Sequence, residues 1–310
     1  MQITIVTPQA QRYVEALSPC FPQCQWFYAE DAHSLKQVGL ASEVLLATPS
    51  EAAKIISQMT NLRWLHSSFA GVDALLQAHL PKHYLLTNSR GVFGPLMSEY
   101  VFSYLLAHVQ LHPVYQTQQQ QCLWQPQSSQ GLQGETFCCV GSGNISQHLA
   151  RTAAHFGMRP VALSYSGKAK APFAQVANFK QHQQLCPSAK AVVAVLPNTP
   201  KTRGLLNAEF FASLADDVVF FNVGRGDTLD QDALLNFLQA KPTAKAILDV
   251  TSPEPLPSNH PLWSQTNCTI TPHIAAPSRV SDIIELFASK LQHYLAGEEL
   301  SDRVDFAKGY

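Results

Sequence analysis

The feature that most constrains this chain is a repeated alternation of short, nearly unbroken apolar runs with amphipathic segments. "ITIVT" (Ile3–Thr7), "EVLLAT" (Glu43–Thr48), "RWLHSS" (Arg63–Ser68) and "YLLTNS" (Tyr84–Ser89) read as strands. Between them, residues 10–17 and "EAAKIISQM" have helical spacing, and "AGVDALLQ" opens a short helix. A strand apolar on both faces needs cover on both faces, which a parallel sheet with crossover helices supplies.

From Ser98 the period lengthens. Val101, Leu105 and Val109 lie four residues apart, on one face of a long helix expected to run through "HPVYQTQQQQ". The glutamine-rich stretch after it is either low-complexity filler or a partner-facing segment carrying Trp124. A second series follows: "TFCCVG", "RPVALSY", "AVVAVLP", "VVFFNVG", "KAILDV" and "CTITPH", then a last helix within "SRVSDIIELFASKLQHYLAG". The expected fold class is therefore α/β, with two doubly wound parallel-sheet domains, the second inserted in the first. The first would comprise residues 1–98 and 276–310, and the second residues 99–275.

With 310 residues, 46% hydrophobic and 14% charged, the chain has ample core for two domains. A net charge of -1 gives no electrostatic footprint for nucleic acid or an anionic membrane. No signal peptide and no membrane span are expected, so the expected location is the cytoplasm. The seven cysteines show no CxxC pairing; they are expected to be buried free thiols, with no metal. Cys138 and Cys139, adjacent in a strand, should face opposite sides of it.

The stretch "VGSGNISQHLARTAAHFG" follows a strand with a glycine turn and a helix. Gly141 permits the tight turn, and Gly143 lets pyrophosphate approach the backbone. The helix opening near Asn144 offers unpaired N–H groups. Ser146 stands where the dinucleotide fingerprint has its third glycine. Alone, such a turn is equally a structural one, but its strand–turn–helix–strand context is that of a dinucleotide unit. At the end of the next strand an acid would select NAD. Here Ser164, Ser166, Lys168 and Lys170 supply hydroxyls and positive charge instead. These suit a 2′-phosphate, so NADP(H) is expected in preference to NAD(H); a solvated basic loop is the alternative.

Three residues stand after successive strands: Arg225 between two glycines, Glu254 in a proline-rich loop, and His273 after "TITP". Singly, each has an ordinary reading as a salt-bridge partner, a loop acid and a structural histidine. Together they match the reduction of a 2-oxo acid. A guanidinium fork holds the carboxylate and polarises the ketone, an imidazolium donates the proton, and a carboxylate keeps that imidazole charged and oriented.

These motifs make the chain resemble the D-isomer-specific 2-hydroxyacid dehydrogenase family over nearly its full length. The matching pieces are "AGVD", "TNSRGVFGPLMSEYV", "VGSGNI", "LPNTPKT", "NVGRGD", "DVTSPEPLP" and "TPHIAAPS". "RGVFGPLMSEYV" and the terminal "DFAKGY" resemble the glyoxylate/hydroxypyruvate reductase branch. The resemblance implies catalytic roles for Arg225, Glu254 and His273. It implies substrate contacts from Phe69, Ala70, Gly71 and Arg225, in a cleft between the domains. Cofactor contacts are implied for Gly141, Ser142, Gly143, Asn144, Ile145, Leu196, Pro197, Thr202, Val223, Gly224, Asp249 and His273, beside the serines and lysines above. It also implies a homodimer acting on a small 2-oxo or 2-hydroxy acid. His66 and Phe69 are expected to shape the substrate pocket. Thr251 stands where the family often has an aromatic residue, and is expected to alter packing away from the chemistry. Two other readings are a formate- or phosphite-type dehydrogenase and a nucleotide-sensing interaction protein without catalysis. A methyltransferase reading is poorer, because it leaves Arg225, Glu254 and His273 without a task.

Overall fold

The computed structural model describes residues Met1–Gly309; Tyr310, the last residue of the terminal motif, lies outside the described residues. The chain divides into two compact units. One is Met1–Phe93 together with the chain from Ser278 onward, and the other is Gly94–Pro277. The first break falls before Ser98 because the long helix already begins at Gly94.

In the first unit five parallel strands are ordered β2-β1-β3-β4-β5. They are β1 (Gln2–Val6), β2 (Gln25–Ala29), β3 (Val44–Ala47), β4 (Trp64–Ser67) and β5 (Leu85–Asn88). This is the flavodoxin-like order. Helices α1 (Ala10–Leu17) and α2 (Pro49–Ile55) follow β1 and β3. Thr48 caps α2 by accepting the Glu51 amide, and Pro49 sits in the first turn, where a missing N–H is harmless. Residues 70–77 give only one 3-10 turn, Asp73–Leu75, rather than a helix.

A buried polar chain runs through β4 and β5. Trp64 Nε1 donates to Thr87 Oγ1 at 2.9 Å, and Thr87 Oγ1 lies 2.8 Å from His66 Nδ1. His66 Nε2 lies 3.3 Å from Ser89 Oγ, which donates to the Ser67 carbonyl. Only one proton arrangement satisfies every member: Thr87 donates to Nδ1 and Nε2–H donates to Ser89. Burial, reinforced by the nearby Lys290 ammonium, pushes the His66 pKa down to about 3, so the ring is neutral. Trp64 stacks on Phe287 of the last helix of the chain, Val280–Leu295.

In the second unit seven parallel strands are ordered β12-β11-β10-β9-β6-β7-β8. They are β6 (Thr136–Val140), β7 (Arg159–Ser164), β8 (Gln175–Asn178), β9 (Ala189–Ala194), β10 (Val219–Asn222), β11 (Lys245–Leu248) and β12 (Cys268–Ile270). The order reverses direction between β6 and β9, and that switch point opens a crevice at the strands' carboxyl ends. Cys138 and Cys139 do face opposite sides, each in a different apolar cluster. All seven thiols are free, but Cys20 and Cys122 are exposed rather than buried.

The single long helix expected from Ser98 is two helices. α3 (Gly94–Val109) ends before Leu111 takes a left-handed backbone, and α4 (His112–Gln120) restarts the chain. Pro113 has no N–H to continue α3 but suits the first turn of α4. The following helix, α5 (Asn144–His155), packs on α3 so closely that a Cβ on Gly94 would meet His148 at 2.7 Å. Ser146 of α5 is fully buried; its carbonyl accepts from the Cys139 thiol, but its hydroxyl has no hydrogen-bond partner where the fingerprint has glycine. Among the described residues no helix is long and apolar enough to cross a membrane.

Replacing Thr87 by Val keeps the shape of the first unit's core but leaves the Trp64 N–H and His66 Nδ1 without partners. Urea unfolding should show a loss of about 2 kcal/mol or more, and Thr87→Ser should recover most of it.

Candidate active site

Three loops at the carboxyl ends of β10, β11 and β12 build the site. Arg225 follows β10 between Gly224 and Gly226. Both glycines answer close backbone approaches. A Cβ on Gly224 would lie 2.5 Å from the Leu196 nitrogen, and one on Gly226 would lie 1.9 Å from the Thr251 carbonyl oxygen. The arginine is thus set where the loops after β9, β10 and β11 touch. Its Nη1 donates to the Gly224 carbonyl at 2.7 Å. Asp227 ties the same three loops together: one oxygen accepts from Asn198 Nδ2 at 2.7 Å, the other from Ser252 Oγ at 2.8 Å.

His273 follows β12, and its Nδ1 lies 2.9 Å from Glu254 Oε2. The other Glu254 oxygen accepts the Thr251 amide at 3.1 Å. Thr251 was expected away from the chemistry; its backbone instead holds the carboxylate, and its hydroxyl donates to the Pro253 carbonyl. His273 has a left-handed backbone, φ 55°. Its amide donates to the Asp249 carbonyl at 2.9 Å. The buried Asp249 carboxylate accepts from Thr271 Oγ1 (2.7 Å) and from the amides of Ile274 (2.7 Å) and Ala275 (3.0 Å). Tyr100 OH lies 2.6 Å from the same Thr271 hydroxyl. Asp249 was expected among the cofactor contacts, yet both its oxygens face the turn that carries His273.

The electrostatics follow from this packing. The hydrogen bond that His273 donates to Glu254 raises the His273 pKa above its ordinary value; partial burial and the Arg225 charge oppose the rise without cancelling it. Burial pushes the Glu254 carboxyl upward, but the bonds from His273 and the Thr251 amide, with the His273 and Arg225 charges, outweigh it and hold the pKa down. Both side chains are about half exposed, so solvent screens the pair.

The glycine turn lies at the carboxyl end of β6. Gly141 has φ 108°, and a Cβ there would meet the Val195 carbonyl at 2.7 Å. Around Gly143 a Cβ would meet nothing within 4 Å, and no side chain caps α5. Open space beside uncapped N–H groups, with Ser142, Asn144 and Ile145 around it, fits a pyrophosphate. Thr202 staples the loop after β9, its hydroxyl donating to the Pro197 carbonyl at 2.6 Å. Leu196 in that loop is part-buried. Val223, also expected to contact cofactor, has its side chain in the core, so only its backbone remains for that role. After β7, Ser164 Oγ accepts the Gly167 amide and Ser166 Oγ accepts the Lys168 amide; Lys168 and Lys170 are exposed.

In the first unit, the Phe69 amide donates to Ser67 Oγ at 3.1 Å, so it is engaged within its own turn. The Ala70 carbonyl accepts from Asn88 Nδ2 at 2.6 Å, which orients the Ala70–Gly71 segment. Phe69 is exposed, but His66 is fully buried: it braces this turn through Ser89 and Ser67 and lines no pocket. Sequence reasoning missed Asp227, Tyr100 and Thr271. Only Asp227 carried a signal, its place two residues after the arginine.

Residues 102–275 match the family model described as D-isomer specific 2-hydroxyacid dehydrogenase, NAD binding domain. The chain is 30% identical over 313 residues to glyoxylate/hydroxypyruvate reductase A of Serratia proteamaculans (strain 568), covering 97% of this chain and 96% of the relative. Among solved structures it is similar to a D-isomer specific 2-hydroxyacid dehydrogenase family protein from Aeromonas salmonicida subsp. salmonicida A449. That likeness has TM-score 0.91 and 36% identity and covers 98% of this chain and 99% of the other. It is also similar to an NADPH-dependent glyoxylate/hydroxypyruvate reductase from Sinorhizobium meliloti, in complex with NADP and sulfate. There the TM-score is 0.87 and the identity 26%, covering 100% of this chain and 99% of the other. The chain therefore belongs to the D-isomer specific 2-hydroxyacid dehydrogenase family of NAD(P)-dependent enzymes, and it is similar to the family's glyoxylate/hydroxypyruvate reductases.

Proposed function

We propose that the protein reduces a small 2-oxo acid of the glyoxylate or hydroxypyruvate kind to the D-2-hydroxy acid, using NADPH. The observation that carries this reading is the His273 Nδ1–Glu254 Oε2 bond of 2.9 Å, within the electrostatic reach of Arg225. With Nδ1 engaged by Glu254, Nε2 is the nitrogen that carries the transferable proton to the carbonyl oxygen. Glu254 keeps that imidazole charged and in one orientation. Arg225 holds the substrate carboxylate and draws electron density from the ketone. A bound nicotinamide coenzyme supplies the hydride.

The glycine turn at Gly141–Ile145 takes the pyrophosphate in this proposal, and Ser164, Ser166, Lys168 and Lys170 take the 2′-phosphate. Leu196, Pro197, Thr202, Val223 and Gly224 flank the nucleotide. Ala70 and Gly71 offer amides to the substrate carboxylate, with Phe69 presenting its ring. We also assign a homodimer to the protein in solution. The segment carrying Trp124, whose side chain is 97% exposed, is the candidate contact.

The primary test follows NADPH absorbance over a panel of 2-oxo acids, repeated with NADH. Turnover of glyoxylate or hydroxypyruvate, faster with NADPH, is expected. Tight NADPH binding with no turnover of any member would favour the nucleotide-sensing alternative. His273→Ala should cut kcat about 10²–10⁴-fold while leaving the NADPH dissociation constant within twofold. Glu254→Gln removes the group that raises the His273 pKa. Reduction needs the protonated ring and is lost as pH rises through that pKa, so the alkaline limb of the kcat/KM profile should move to lower pH in the variant.

A further inference from the structure

We infer that Lys201, seated on the Tyr165 ring, is a third cation of the 2′-phosphate site and sets the preference for NADP(H) over NAD(H). The inference rests on the proposed NADPH reading and adds a residue from a different loop.

Lys168 and Lys170 belong to the loop after β7, whereas Lys201 comes from the loop after β9. The two loops meet at Tyr165. Lys201 Nζ lies 4.6 Å from the Tyr165 ring centroid and 3.5 Å from its hydroxyl. Among the described residues this is the only polar contact that Lys201 Nζ makes. The ring attracts the ammonium without taking a donor, and the hydroxyl accepts one of its three N–H donors, so the charge is held in place with two donors left to bind an anion. That lowers the ordering entropy a free lysine side chain would lose on binding.

Tyr165 is itself 76% exposed, an unusual position for so large a ring without a contact to make. Its backbone is nonetheless fixed. The Asn178 side chain donates to the Tyr165 carbonyl, and a capping box at Asn178 locks that side chain against Lys180 and Gln181. Gly167, at φ 63°, passes so close that a Cβ would lie 2.9 Å from the Asn178 nitrogen. The two serines add a second indication. Each hydroxyl oxygen already accepts a backbone amide, Ser164 from Gly167 and Ser166 from Lys168. Each O–H proton is thereby left to donate, and a phosphate oxygen is an acceptor only. Two hydroxyl donors, two exposed lysines and a pre-seated third lysine make a dianion site. Ribose hydroxyls alone would give them no charge to meet.

The test measures dissociation constants for NADPH and NADH by titration calorimetry, at two salt concentrations, for the wild type, Lys201→Ala, Tyr165→Phe and Tyr165→Leu. Lys201→Ala should weaken NADPH about tenfold, leave NADH within twofold and flatten the salt dependence of NADPH binding. Tyr165→Phe keeps the ring and should stay near wild type, whereas Tyr165→Leu should weaken NADPH alone. If Lys201→Ala changes both nucleotides equally, or neither, while the wild type prefers NADPH, the role of Lys201 is refuted and the NADPH reading stands. If Tyr165→Leu weakens both nucleotides equally, the ring serves the adenosine and not the lysine, which overturns the seating argument. A wild type that binds NADH as tightly as NADPH overturns both readings together.

Discussion

The geometry around His273 depends on one buried carboxylate. Asp249 receives one hydroxyl and two amide donors from the segment 271–275, and its own carbonyl receives the His273 amide. A histidine in the left-handed region is uncommon, and such a backbone persists only where its surroundings over-determine it. Four bonds to one residue supply that determination. Tyr100, from the helix that opens the second unit, closes the network from the other side through Thr271. The Glu254–His273 contact is therefore the outer member of a stack that runs inward through the part-buried Thr271 to the buried Asp249 and Tyr100.

The Arg225 loop is placed by a different kind of force. Steric contacts set its approach, and hydrogen bonds from Asn222 and Thr228 to the Arg225 carbonyl hold its backbone. Gly224 and Gly226 lie where two neighbouring backbones pass within contact, and Asp227 then closes the gap with bonds to Asn198 and Ser252. The loop that carries the Arg225 guanidinium is thus built on main-chain packing, which holds position better than long side chains do.

Much of this architecture could be read from residue order. Strands buried on both faces, such as β3, β6 and β9, announce themselves as continuous apolar runs. The edge strand β8 does not, because polar residues at its half-exposed positions dilute the run, whereas β2 is a short aromatic run that is only part-buried. Pro113 signals the break at Leu111, but the four-residue apolar spacing that precedes it masks it. At the site, residue types and their order after successive strands single out Arg225, Glu254 and His273. What order cannot convey is direction. Asp249 stands in a motif at a strand end, and nothing in the motif says that its carboxylate turns back onto the histidine segment. His66 likewise sits three residues before the exposed Phe69, yet faces wholly inward. The seat of Lys201 on Tyr165 joins residues 36 positions apart and has no local signature.

The 1.9 Å that would separate a Gly226 Cβ from the Thr251 carbonyl has a consequence for anyone reshaping this protein's specificity. The loop bearing the guanidinium and the loop bearing the carboxylate share one interlocked surface, so neither can be diversified while the other stays fixed. A combinatorial library that randomises them separately would consist mostly of misfits; one that keeps both glycines and varies the two loops together samples geometries the scaffold can hold.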